Sequence, residues 1–171
     1  MPANKEIMEI LGYLEGRKDC AVFGGFAQFA HVGVKHSPDV DVYVKPLKVL
    51  DEMTRDFIRK GWKNYERSKN ERTTWSRLRK SGTNLDIAYS KRASKFFFGD
   101  VVKIKVYGYR VPFISEEALF LSKIRLLASK DRTMEKRKRD LEAVMKLQKR
   151  IDARKTVELA SKLNRGKQIH F

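Results

Sequence analysis

This 171-residue sequence is poor in cysteine and contains only one, Cys20. One cysteine excludes an internal disulfide bond and is typical of a reducing environment, so we expect a cytoplasmic protein. Long apolar runs are also missing, since none approaches the ~20 residues of a membrane-spanning helix. The opening residues, MPANKEIMEI, lack the apolar centre of a signal peptide. We therefore expect no membrane association.

Acidic residues are scarce relative to basic ones: 21 Asp and Glu face 38 Lys and Arg, which gives a net charge of +17. Proteins this basic often bind a polyanion, and nucleic acid is the usual one. A thermophile surface would also be rich in charge, but it would not explain the imbalance. The hydrophobic fraction of 42% is enough for a folded core. These figures favour a folded protein that contacts nucleic acid.

Hydrophobic periodicity predicts an α/β protein that begins with a helix, continues with a mixed α/β core and ends with a helical C-terminal segment. Helices are predicted at residues 3–16, 25–32 and 47–60, the last with an apolar stripe that includes Ile58. Strands are predicted at residues 20–23, 39–44, 62–67, 73–80, 85–89 and 101–107. From Ser115 the pattern is helical almost to the end. We divide the chain into a core, residues 1–114, and a basic helical segment packed on it, residues 115–171.

Two aspartates, Asp39 and Asp41, alternate with apolar residues in one predicted strand. Side chains two residues apart in a strand share a face, so both carboxylates point the same way. Paired like charges repel unless a cation lies between them, and oxygen ligands suit Mg²⁺ or Mn²⁺. The glycine pair Gly24 and Gly25 precedes them and offers backbone N–H groups at a helix start, as phosphate sites do. This combination suggests nucleotide chemistry.

A third acid, Asp86, interrupts another, otherwise apolar strand. If that strand lies beside the first, Asp86 joins Asp39 and Asp41 on one face of the sheet. Three carboxylates can hold two divalent ions, which position a triphosphate and activate an attacking hydroxyl. The alternative is that Asp86 is an ordinary surface residue near a strand end.

Two charged residues of the helical segment lie where an apolar stripe would continue. Lys123 stands between Leu119 and Leu127 at four-residue spacing, and Asp140 heads the stripe of a later helix. A lysine in such a position either snorkels to the surface or meets an anion, for example a triphosphate. Asp140 either faces inward or serves as a capping or salt-bridging residue. The residues alone leave both pairs of alternatives open.

Basic residues are concentrated in the same helical segment. Such clusters on helices commonly follow a phosphate backbone, with little sequence preference and strong salt dependence. The candidate nucleic-acid-binding residues are Lys130, Arg132, Lys136, Arg137, Lys138 and Arg139. The alternative is a solvated basic face without a ligand.

The motifs together resemble the DNA polymerase β-like nucleotidyltransferase superfamily, and within it the minimal AbiEii-type branch. The shared pattern is a glycine pair, a short helix, then a basic residue, Ser37 and the two aspartates, with Asp86 matching the third carboxylate. Pro112, the helix start at Ser115, Lys123 and residues 132–141 extend the resemblance, which covers about residues 20–145. Two positions depart from the pattern. Phe26 stands where many members have Ser or Thr, and Arg137 stands where Asp is usual.

The resemblance implies a mixed β-sheet flanked by helices, and transfer of a nucleoside monophosphate from an NTP to a hydroxyl. It implies that Asp39, Asp41 and Asp86 bind Mg²⁺ or Mn²⁺ and are catalytic, with Asp86 helping to activate the acceptor. Lys123 is assigned to catalysis as well. The residues implied in nucleotide binding are Gly24, Gly25, Lys35, Ser37, Lys123 and Asp140.

The acceptor is expected to be RNA, tRNA above all, or a protein hydroxyl. The AbiEii-type branch includes toxins, so an antitoxin protein is a further partner that the resemblance implies. The alternative function is a nucleotidyltransferase fold retained as an RNA-binding or scaffold protein without transfer activity.

Overall fold

The computed structural model describes residues 4–35, 38–69, 73–91 and 96–165, with side chains as far as residue 162. The helices are α1 (Lys5–Leu14), α2 (Gly24–Val32), α3 (Leu47–Arg59), α4 (Glu116–Leu127), α5 (Met134–Leu147) and α6 (Ala153–Arg165). The strands are β1 (Cys20–Phe23), β2 (Asp39–Val44), β3 (Lys63–Lys69), β4 (Thr74–Lys80), β5 (Thr83–Tyr89), β6 (Val101–Val106) and β7 (Tyr109–Ile114). The predicted α/β class is confirmed.

Within the described residues, seven strands form one mixed sheet in the order β3-β4-β5-β2-β1-β7-β6. The β2–β5 and β1–β7 pairs are parallel, and the other neighbouring strands are antiparallel. Strands β2 and β5 lie in the middle of the sheet. From Asp41 to Tyr43, β2 is paired on both sides, with β1 and with β5, and its side chains are held in place by this pairing.

The two faces of the sheet differ in chemistry because side chains alternate along each strand. One face of β2 and β5 is apolar and buried, with Val40, Val42, Leu85 and Ile87 all fully inaccessible. Helices α1 and α3 contact the strands on this side. The other face carries the aspartates, and helix α2 packs against β1 and β2 there and contacts α4 and α5.

The first helix shows how local sequence sets an element. The side chain of Asn4 caps α1 by accepting a hydrogen bond from the Ile7 backbone N–H at 2.8 Å. The predicted apolar stripe is confirmed, since Ile7, Ile10, Leu11 and Leu14 are buried.

The assignment of Ile58 to the stripe of α3 is wrong, because its side chain is 46% exposed. None of the helices in the described residues has the length and apolarity needed to cross a membrane.

Strand β7 was not predicted. It forms a hairpin with β6 through Tyr107 and Gly108, which both have positive φ angles, 50° and 92°. It also contains Pro112, a residue that lacks a backbone N–H and is uncommon inside sheets.

The helical C-terminal region is divided by caps at Ser115 and Thr133, whose hydroxyls accept hydrogen bonds from backbone N–H groups of the following helices. The domain division at residue 114 stays a prediction.

Phe26 is part of the core. Its side chain is fully buried, and its ring centroid lies 5.9 Å from that of Phe29 and 6.3 Å from that of Phe113. The second ring stacks on it nearly in parallel, at 13°. A residue at this position therefore contributes to packing beneath α2.

We expect Phe26→Ala to lower the free energy of unfolding by about 3 kcal/mol, because it leaves a cavity in the core. Ile58→Ala should change it by less than about 0.5 kcal/mol, because that side chain is largely exposed. Urea denaturation followed by circular dichroism measures both. Equal losses in the two variants would contradict the placement of Phe26.

Candidate active site

Charged side chains align across one face of the sheet. Asp41 on β2 is directly opposite Asp86 on β5, and Asp86 is directly opposite Arg77 on β4. The prediction that the strand of Asp86 lies beside that of Asp41 is therefore confirmed. In the next row Asn84 is opposite Asp39 and donates a hydrogen bond to its Oδ1 at 2.8 Å.

The glycine pair lies against Asp41. Gly24 has a φ of +71°, a conformation that glycine adopts without strain. A Cβ atom at this position would lie 2.8 Å from Cγ of Asp41 and closer still to its Oδ2. The backbone N–H of Gly25 donates a hydrogen bond to the Asp41 carboxylate. The turn between β1 and α2 is thus shaped to accept this carboxylate.

The surroundings raise the pKa values of Asp41 and Asp86. Burial raises the pKa of Asp41 to about 7, the charge of Asp86 adds to the shift, and Lys123 opposes it. Burial also raises the pKa of Asp86, although Arg77 opposes that shift. Negative charge on this face is therefore only partly compensated by the protein.

Lys123 and Asp140 form a buried ion pair on the facing helices. Both side chains are 2% exposed, and Nζ of Lys123 lies 3.1 Å from Oδ1 of Asp140. Gln28 donates to the same oxygen at 3.0 Å, and Arg132 contacts Oδ2 through Nε at 2.7 Å. Burial lowers the pKa of Lys123, while Asp140 opposes that shift. Lys123 thus meets an anion instead of snorkelling, and Asp140 faces inward as a salt-bridging residue.

The sheet face and the helices enclose a cleft of about 340 Å³. Its floor is acidic, and four cations on α4, α5 and the segment between them form its basic wall: Lys123, Arg132, Lys136 and Arg139. The remaining lining residues are Gly25, Gln28, Asp39, Asp41, Trp75, Arg77, Asn84, Asp86 and Asp140. An acidic floor opposite a basic wall suits a polyphosphate that carries a divalent cation.

Several predicted site residues lie away from the cleft lining. Lys35, Lys130 and Lys138 are exposed and are not among the lining residues. Gly24 lies directly behind Asp41. Ser37 lies outside the described residues. The functional roles of all these residues stay predictions.

Arg137 is engaged with the protein backbone. Its guanidinium donates hydrogen bonds to the carbonyls of Leu127, Ser129 and Arg132, at 3.5, 2.8 and 3.1 Å. These carbonyls belong to the end of α4 and to the segment that leads into α5. Arg137 therefore braces this connection.

Sequence reasoning missed four lining residues: Gln28, Trp75, Arg77 and Asn84. Asn84 could have been found, because it is two residues before Asp86 and so shares its face. Arg77 and Trp75 share a face with each other by the same rule, but their place beside Asp86 depends on the pairing of β4 with β5. Gln28 required the position of α2 relative to α5.

A divalent cation fits these residues. Among the residues that the structure describes, no three Asp, Glu, His or Cys side chains already converge as a metal-binding group. However, Oδ1 of Asp86 is buried and has no hydrogen-bond partner. A free carboxylate oxygen beside two further carboxylates is a donor set for a hard cation such as Mg²⁺ or Mn²⁺. Asp39, Asp41 and Asp86 are the residues that would hold it.

No protein-family model matches the chain, and a search of curated proteins gives no significant match. Solved structures do match. The antibiotic-resistance factor ANT(2'')-Ia is 16% identical, with 94% of this chain and 90% of that chain covered and a TM-score of 0.65. The structure of its complex with adenylyl-2''-tobramycin is also 16% identical in sequence. It matches with a TM-score of 0.63, and the match covers 94% of this chain and 97% of that chain. Lincomycin-bound LnuA, a lincosamide antibiotic adenylyltransferase, is 17% identical. It matches with a TM-score of 0.58, and the match covers 84% of this chain and 97% of that chain.

The structure therefore belongs to the class of nucleotidyltransferase folds. Identities of 16% and 17% show the fold alone. The more specific resemblance to the AbiEii-type branch stays a prediction.

We expect Gly24→Ala to destabilise the protein more than Gly33→Ala does. Both positions have a positive φ, 71° and 69°, but a Cβ at Gly33 meets nothing within 4 Å. Gly33→Ala should cost about 1 kcal/mol from backbone strain alone. Gly24→Ala should cost about 3 kcal/mol, because it also displaces the Asp41 carboxylate. Urea unfolding compares the two, and equal costs would argue against the close contact between Gly24 and Asp41.

We also expect Asp41 to make the metal-free protein less stable as pH rises. Its pKa is about 7 in the folded protein against an ordinary 3.8, so the folded state holds the proton more tightly. Its stabilising contribution is full below pH 3.8 and is lost as pH rises through about 7.

Between pH 5 and pH 8 this loss should be on the order of 2 kcal/mol, allowing for partial solvent screening. Asp41→Asn should remove it, because an amide does not ionise. Urea unfolding in the presence of EDTA at both pH values is the measurement. An unchanged pH dependence in the variant would show that Asp41 is not the group responsible.

Proposed function

We propose that this protein transfers a nucleoside monophosphate from an NTP to a hydroxyl group of RNA, with Mg²⁺ or Mn²⁺. One observation carries the proposal: Asp41 and Asp86 lie opposite each other on neighbouring strands and face the basic wall across the cleft. The fold supports it, since adenylyltransferases such as LnuA have similar structures.

In the proposed reaction the acceptor oxygen forms a bond to the α-phosphorus of the NTP. The bond from that phosphorus to the oxygen that bridges to the β-phosphate breaks, and pyrophosphate leaves. The acceptor proton passes to Asp86, whose Oδ1 is free of partners and whose pKa is raised by burial. A bound divalent cation would supply charge neutralisation for the phosphates and align them with the acceptor.

The basic wall has a different part in this scheme. Lys136 and Arg139 project from α5 into the cleft, one helical turn apart, where they can bind phosphate oxygens. Lys123 and Arg132 are already paired with Asp140. We assign these two residues, with Asp140, mainly to holding the wall in place, and Lys136 and Arg139 to the nucleotide.

The charge of the protein favours RNA as the acceptor. A net charge of +17 attracts a polyanion and repels a polycation such as an aminoglycoside. The exposed Lys130 and Lys138 extend the basic surface from the wall outwards. Trp75 lines the cleft, and the Arg77 guanidinium lies 5.8 Å from its ring centroid, so a base could stack only on the ring face that Arg77 leaves open. A role as a toxin that is paired with an antitoxin is carried by the AbiEii-type resemblance alone.

The test is incubation with each labelled NTP, Mn²⁺ or Mg²⁺ and total RNA, followed by detection of label on RNA. We expect transfer by the wild type, and a decrease of at least about a hundredfold in Asp41→Asn, because that change removes a negative charge that would hold the divalent cation. Asp51→Asn is the control, since Asp51 is only half-buried, pairs with Arg67 and is not among the lining residues of the cleft. Equal transfer by Asp41→Asn would exclude the proposed role of this residue.

Tobramycin and lincomycin are tested in parallel as acceptors. The structure of ANT(2'')-Ia contains adenylyl-2''-tobramycin, and that of LnuA contains lincomycin. Label on either compound and not on RNA would assign a small-molecule acceptor. No transfer with any nucleotide, together with tight and salt-sensitive RNA binding, would favour the scaffold alternative.

A further inference from the structure

Arg77 has two acidic partners and an incomplete contact with one of them. Its Nη1 donates to Oε2 of Glu66 at 2.7 Å, a well-formed charged hydrogen bond. Its Nε lies 3.3 Å from Oδ2 of Asp86, yet this buried nitrogen makes no hydrogen bond. The contact of Nε with Asp86 is thus a charged contact without good hydrogen-bond geometry. The contact with Glu66 has both charge and geometry.

We propose that Arg77 is a resident counter-cation for Asp86, which a divalent cation displaces, and that Glu66 retains the guanidinium when this happens. The inference rests on the proposed function, because it concerns the same cation site. It adds a pair of residues that control how readily the cation enters.

The geometry of β3 supports the role of Glu66. The pairing of β3 with β4 shifts between Asn64 and Glu66, which is a β-bulge. The shift brings Glu66 opposite Arg77 and makes Tyr65 the extra residue. Bulges next to functional sites commonly re-aim a side chain. Here the bulge supplies Arg77 with a second carboxylate on the side away from Asp86.

Arg77 and a divalent cation compete for the negative charge of Asp86. A guanidinium beside Asp86 offsets part of the negative charge that attracts a divalent cation, so it weakens cation binding. Glu66 draws the guanidinium towards the outer strand and adds negative charge of its own, so it strengthens cation binding. The two residues should therefore act in opposite directions although they are bonded to each other.

Binding of Mn²⁺ to the metal-free protein tests this, with free Mn²⁺ measured by electron paramagnetic resonance. We expect Arg77→Gln to tighten Mn²⁺ binding by about tenfold and Glu66→Gln to weaken it by about threefold. Arg79→Gln is the matched control, because Arg79 is on the same face of β4 but opposite Asn84. It should change the affinity by less than about twofold, because Arg79 is exposed. Circular dichroism confirms that each variant is folded.

Weaker or unchanged binding in Arg77→Gln would overturn the inference and would make the ion pair a structural contact. Equal tightening in Arg79→Gln would overturn it as well, since the effect would then be one of overall charge. If neither the wild type nor Arg77→Gln binds Mn²⁺, both this inference and the metal dependence of the proposed function fail. If Mn²⁺ binding responds as expected but no NTP label is transferred, the inference stands and the proposed function fails.

Discussion

Repulsion between the carboxylates of Asp41 and Asp86 is the constraint on which the rest of the cleft depends. Parallel pairing of β2 and β5 brings the two side chains directly opposite each other, so folding itself brings like charges together. The protein offsets this charge with Arg77 on one side and with the Gly25 N–H and Lys123 on the other. The offset is incomplete, which is why burial and proximity move the pKa of Asp41 to about 7. The site retains stored electrostatic strain that a divalent cation can relieve.

In the basic wall, by contrast, a buried acid has its negative charge compensated by neighbouring donors. Asp140 is a buried acid whose charge is fully matched, because it accepts contacts from Lys123, Gln28 and Arg132. These donors come from α4, α2 and the segment before α5, so a single carboxylate joins three parts of the fold. Buried charges are stable only when paired in this way. The cleft therefore has one wall that stays positive although its buried acid is paired, and one face whose negative charge is only partly compensated.

Local patterns were sufficient where the chemistry depends on near neighbours in the chain. Alternation in β2 was enough to place Asp39 and Asp41 on one face, and periodicity was enough to identify the buried stripe of α1. Arg77 and Gln28 were missed because their roles depend on which strand or helix lies beside them. Lys123 and Asp140 were recognised as unusual, but their mutual contact spans 17 residues and depends on how α4 packs against α5. Strand β7 was missed because Pro112 disfavours a strand by local rules.

Arg137 has a mechanical consequence. By fastening the end of α4 to the segment that enters α5, it joins the two helices into a single stiff hairpin. Lys123 on one helix and Asp140 on the other are thereby held in register. Sliding α4 along α5 would break the hydrogen bonds from Arg137 to the carbonyls of Leu127 and Ser129. Arg137, which lies outside the cleft lining, thus fixes the relative position of the two helices that carry the basic wall.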